Sequence, residues 1–135
     1  MKQKFLIATV LVVLVIGAAG FAGLVALSNH VVVQSQTDED LQNVALLLSR
    51  GALIALPSVA AGQKLCFTLN SYEGSVGLQA QKGLTMLKLP PTGYVTGAMG
   101  ANIQLTVRPE GIYMRENGTF DWSCLFSDAL APGNR

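Results

Sequence analysis

Between Phe5 and Thr37 the chain carries no Asp, Glu, Lys or Arg. No other feature constrains the fold as strongly. Its first part, residues 5–27, is continuously apolar or small. At 1.5 Å of rise per residue a helix of about 23 residues spans roughly 35 Å, enough for the hydrocarbon core of a bilayer. A cleaved signal peptide would use Gly17-Ala18-Ala19 or Gly20-Phe21-Ala22 as its small-residue site. Apolar character resumes after both, so a retained membrane helix is the better reading. Lys2 and Lys4 precede the span, and Asp38, Glu39 and Asp40 are the first charges after it. The positive-inside rule then puts the N-terminus in the cytoplasm and the rest outside. Gly17, Gly20 and Gly23 recur every third residue, and Ala18, Ala22 and Ala26 every fourth. Small residues at such spacing let helices approach closely in lipid, although Gly and Ala are also common in membrane helices generally.

Residues from 38 onward have an ordinary soluble composition. About a hundred residues make one small domain, close to the size at which covalent staples matter. The formal net charge is +1, with no basic run after Lys4. That excludes the electrostatic footprint of a nucleic-acid binder. Cys66 and Cys124 can form one disulfide if the domain lies in an oxidising compartment, as the anchor implies; two buried reduced thiols are the alternative.

No proline interrupts the chain between the span and Pro57, and Leu41, Val44, Ala45, Leu48, Ala52 and Ala55 fall on one stripe of a helix. One helix is therefore expected from about Phe5 to about Leu56, membrane-embedded at first and amphipathic over residues 28–56. Beyond Pro57, residues 64–70, 84–89, 102–108, 112–116 and 119–126 read as short strands. Turns fall at 71–74, 90–93, 109–111 and at Asn117-Gly118, a type I′ hairpin signal. In the last strand Phe120, Trp122 and Cys124 share one face, expected to pack on the helix. Leu65, Phe67 and Leu69 form the more apolar face of residues 64–70, which leaves Cys66 on the opposite one.

Catalytic patterns do not appear. The single histidine, His30, has no partner at metal-ligand spacing and reads as an interfacial polar residue. No phosphate-binding glycine loop follows a strand, and no Gly-x-Ser-x-Gly elbow is present. Asp38, Glu39 and Asp40 read as a solvated patch rather than an acid/base pair. No catalytic, cofactor-binding or metal-ligating set is expected, and no enzyme activity.

The layout resembles the type IV pilins, especially the class with a brief leader. Met1 to Lys4 stand before Phe5 and a long hydrophobic helix. A polar stretch, residues 35–41, follows where the family's helix leaves the membrane. Near the other end, residues 100–105, Trp122-Ser123-Cys124 and Ala131-Pro132-Gly133 follow the family's order of strands, cysteine-bearing strand and short tail. Three positions depart. Lys4 stands where the leader's terminal Gly would be, Thr9 where the family's helix carries Glu, and the C-terminal loop lacks a second Cys. These departures fit an accessory or minor subunit, or an unprocessed membrane-bound relative, better than a major filament subunit.

The expected fold class is α+β, a long N-terminal helix packed on a small antiparallel sheet in a pilin-like lollipop. Its segments are a basic cytoplasmic leader (1–4), a transmembrane helix (5–27), an amphipathic continuation (28–56) and a β-rich extracytoplasmic domain (57–135). The resemblance implies a structural or accessory subunit of a type IV pilus, or of a related envelope filament or secretion system. It would sit in the inner membrane or a surface filament, its partners membrane lipid and other pilin-like helices or pilus assembly proteins, in a homo- or hetero-oligomer. The alternative is a membrane-anchored or secreted small extracytoplasmic binding domain unrelated to pili.

Overall fold

The computed structural model describes residues 2–97, 99–116 and 118–125. One helix, α1 (Lys2–Leu27), is followed by eight strands: β1 (His30–Ser35), β2 (Leu41–Leu48), β3 (Leu53–Ala55), β4 (Lys64–Thr68), β5 (Gly74–Lys82), β6 (Thr85–Val95), β7 (Asn102–Arg108) and β8 (Gly111–Glu116). They form two four-stranded sheets, ordered β4-β1-β7-β8 and β3-β2-β5-β6. All pairings are antiparallel except β1 with β7. The arrangement is α+β, with one long apolar helix and two sheets where the sequence suggested a single small one.

The sheets face each other across one core. Val31, Val33, Phe67, Ile103, Leu105 and Val107 meet Val44, Leu46, Leu48, Val76, Leu78 and Val95 there. In β1 and β7 the inward residues alternate with His30, Val32 and Gln34 and with Asn102, Gln104 and Thr106, as the period of two requires. Burying each Val or Leu contributes about 1.5–3 kcal/mol, which offsets the entropy of ordering the chain.

The amphipathic helix expected over residues 28–56 is not formed; that segment is β1, β2, a 3-10 turn (Ser49–Gly51) and β3. The error has a local cause. A bulge shifts the β2–β5 register between Gln42 and Ala45, with Asn43 at φ 47°. Leu41 and Val44 therefore face the same core although three residues apart, a spacing that imitates a helix. Val31 to Val33, which lower helix propensity only slightly, have their β-branched side chains buried in a sheet. At Arg50 (φ 68°) and Gly51 (φ 80°) the chain reverses and β3 pairs with β2. The helix therefore packs on no sheet: none of its described residues is buried, and the lollipop built on a continuous helix is withdrawn.

Two further corrections concern strands. Pro90 and Pro91, read as a turn, lie within β6. Proline is tolerated there because β6 is a sheet edge, and the register with β5 shifts between Val76 and Leu78. Gly77 stands opposite that bulge, where a Cβ would collide with the Leu89 carbonyl oxygen and the backbone of Pro90 and Pro91. Of residues 119–126, read as a strand, the described ones (119–125) instead end in a 3-10 turn, Trp122–Leu125. Asn117 of the expected hairpin turn, Phe126 and the tail lie outside the described residues.

Asn29 joins the helix to the sandwich. Its side chain is wholly buried. Nδ2 donates to the carbonyls of Leu69 (3.3 Å) and Thr96 (2.6 Å), and Oδ1 accepts from the N–H groups of Met99 (3.2 Å) and Ala101 (3.0 Å). The Gly100 N–H donates to the Leu27 carbonyl at 3.1 Å, capping the helix. Gly100 has φ 73°, and a Cβ there would meet the Ala26 carbonyl, so only glycine lets this loop close on the helix end. No linker separates helix from domain.

Candidate functional site

The outer face of the β4-β1-β7-β8 sheet is crossed by residues 118–125, which form a strap. Strand register places His30 beside Asn102 and Thr68, and two residues further along Val32 beside Gln104 and Cys66. Gln104 in turn pairs with Arg115. Polar side chains on this face need partners, and several find one another. Gln104 Nε2 donates to Gln34 Oε1 at 3.0 Å.

Three ties hold the strap down. Cys66 and Cys124 are disulfide-bonded, with Cα atoms 5.6 Å apart. Cys66 does lie on the face opposite Phe67 and Leu69, and the bridge forms because the strap runs over that face. Lys64 Nζ donates to Asp121 Oδ2 and forms an ion pair with it. The third tie is aromatic: Phe120 lies on His30 at 4.4 Å between centroids, and Trp122 meets Phe120 edge-on at 5.0 Å. The Lys64 ammonium, with the Ser123 hydroxyl and N–H, holds the Asp121 carboxyl below its ordinary range.

Between strap and sheet lies a groove of about 410 Å³. Asn102, Gln104 and Arg115 supply polar groups from the sheet, and Phe120 and Trp122 supply aromatic surface from the strap. Trp122 is 63% exposed, so the expectation that it shares a buried face with Cys124 is corrected. Asn102 Oδ1 is buried without a hydrogen-bond partner among the described residues. Oδ1 is closed to solvent in this conformation, so a ligand donor reaches it only when the side chain turns toward the groove. Amides, a guanidinium and aromatic faces around one concavity suit a polar ligand with an apolar side.

His30 links the groove to the helix. Its Nε2 lies 3.0 Å from the Val25 carbonyl. A carbonyl only accepts, so Nε2 carries the proton. His30 is thus a structural donor in tilted contact with Phe120, at the end of the helix where the sequence placed an interfacial polar residue.

The small-residue positions of the helix lie apart from this site. A Cβ at Gly17, Gly20 or Gly23 would meet nothing within 4 Å, and Ala18 and Ala22 are exposed. Ala26 is different, since its carbonyl faces Gly100. Sequence reasoning found the two cysteines but missed the groove. Its walls are ordinary polar alternations in β1, β7 and β8, and only the strap gives them a common purpose.

No family model matches the chain, and no curated protein matches it. Among solved structures, an NMR structure of a protein from Eubacterium rectale is similar over 70% of this chain and 93% of that one, at 9% identity and a TM-score of 0.49.

Proposed function

We propose that this protein is a membrane-anchored binding module, its sandwich outside the cytoplasm and its ligand taken in the groove beneath the strap. The groove carries the reading, because a disulfide-held strap with an exposed tryptophan over the Asn102 and Gln104 amides and the Arg115 guanidinium has no evident role in packing the core. The anchor supports the location. Helix α1 is long and apolar enough to cross a membrane, with a mean hydropathy of 2.8. The disulfide suits an oxidising compartment, and Lys2 and Lys4 favour a cytoplasmic N-terminus.

Trp122 is the only tryptophan and serves as a reporter. Emission of the full chain in detergent would be titrated with soluble sugars, sugar phosphates and glycerol phosphate. A saturable change with one class, abolished by filling the groove with Gln104→Trp as read by isothermal calorimetry, supports the reading. No heat and no emission change with any class contradicts it. Labelling of a cysteine introduced at Ser71 from the outer side tests the orientation.

A pilin-like subunit is the second reading. One observation favours it: the helix has no buried residue, so Gly17, Gly20 and Gly23 offer an open face to other helices. It no longer has an amphipathic half-helix to extend that packing. Crosslinking between cysteines placed at Gly20, in native membranes, would distinguish assembled from solitary helices.

A further inference from the structure

We propose that the groove binds the anionic, hydroxyl-bearing headgroup of a membrane lipid in the leaflet from which the sandwich emerges. This deepens the binding-module reading and rests on it.

Position is the first argument. The apolar helix ends at Leu27, and β1 begins at His30 with no intervening linker. Asn29 and the His30–Val25 hydrogen bond fix the direction in which the sheet leaves the helix. The groove is built on the two sheet rows nearest that end, His30–Asn102 and Val32–Gln104. Two residues along a strand cover roughly 7 Å. The polar layer on each side of the hydrocarbon is about 5–8 Å thick. With Leu27 at the hydrocarbon edge, the His30–Asn102 row falls in the headgroup layer and the Val32–Gln104 row at its outer margin. Met99, 72% exposed, and Trp122 flank the same level, and tryptophan is the residue that favours such interfaces.

Chemistry is the second. Among the described residues no carboxylate forms an ion pair with Arg115, whereas Asp121 is already taken by Lys64. Arg115 therefore leaves the groove with an uncompensated cation, suited to bidentate contact with a phosphate. Asn102 lines the groove, and a turn of its side chain would bring Oδ1, which has no donor among the described residues, to a glycerol or sugar hydroxyl. Trp122 offers a face for the ligand's carbon skeleton.

The test uses the full chain in nanodiscs of phosphatidylcholine alone and of an equal mixture of phosphatidylcholine and phosphatidylglycerol. Glycerol phosphate, added to the first, is the soluble arm. Trp122 emission and the Asn102 side-chain amide resonances are followed in the wild type, Arg115→Gln and Gln104→Ala. The expected result is a change in both signals with phosphatidylglycerol. It should be lost in Arg115→Gln and weakened about tenfold in Gln104→Ala, in line with one or two charge-assisted or neutral hydrogen bonds. Identical signals in the two nanodisc types, with a response to glycerol phosphate, overturn the lipid assignment and leave the groove a site for soluble ligands. A change with phosphatidylglycerol that survives in Arg115→Gln overturns headgroup recognition and reduces the effect to surface charge. No response in any arm overturns both readings.

Discussion

His30 donates through Nε2 to the carbonyl of Val25 at 3.0 Å, tying the first side chain of the sandwich to the last turn of the apolar helix. The contact spans the boundary between two regions of opposite solvent preference. With Asn29 beside it, the boundary is a joint of fixed geometry rather than a tether. Phe120 meets the same imidazole at a tilt, with ring centroids 4.4 Å apart, so joint and groove share a residue.

Asn29→Ala should destabilise the domain by roughly 2–4 kcal/mol, because it leaves two carbonyls and two N–H groups buried without partners. Asn29→Asp should not rescue it, since a carboxylate oxygen would face the carbonyls of Leu69 and Thr96. Thermal unfolding followed by circular dichroism measures both.

Reducing the Cys66–Cys124 bridge should release the strap and leave the sandwich folded. Neither cysteine belongs to the core cluster between the sheets. The 58-residue separation gives a chain-entropy contribution of about 4 kcal/mol on the loop-closure model. A Cys66→Ser, Cys124→Ser variant should keep the far-ultraviolet spectrum, unfold at lower denaturant and show a red-shifted Trp122 emission.

Strap docking should weaken in acid. Lys64 and Ser123 hold the Asp121 carboxyl below its ordinary value. A depressed carboxyl contributes its stabilisation in full above the unfolded-state value near 3.8, and loses it as pH falls through the lower folded-state value. Trp122 emission should report a transition below that range in the wild type. It should be absent in Asp121→Asn, whose strap is equally loose at all pH.

Gly77→Ala should cost about 1–3 kcal/mol by forcing the β6 bulge away from β5, with the collision falling on backbone of Leu89, Pro90 and Pro91. Chemical denaturation provides the number. A cost near that of an exposed Gly→Ala change would mean that the bulge is free to move.

Several of these features were legible in the sequence. The apolar helix was marked by its lack of charge up to Thr37. β7 and β8 showed as alternating runs, and the two cysteines were read as a candidate pair. The central strand β5 was overlooked. Its Val76, Leu78 and Ala80 alternate with Ser75, Gly77 and Gln79, but the glycines and small residues weaken the pattern. The long amphipathic helix was a misreading forced by one bulged residue, Asn43, and by the near-continuous burial of residues 44–48 on both faces of β2. No local signal marked the strap, because its conformation is set by contacts with Cys66, Lys64 and His30, between 57 and 90 residues earlier in the chain.

The central claim is that a fixed joint holds the groove at the membrane surface, and the depth of Trp122 tests it most directly. The full chain would be placed in bilayers whose lipids carry bromine at a known depth, and Trp122 emission recorded. The account predicts strong quenching by lipids labelled near the headgroup and weak quenching by lipids labelled near the chain ends. It also predicts that Asn29→Ala, by loosening the joint, lowers the first. Emission untouched by bromine at every depth would place the groove away from the bilayer and contradict the account.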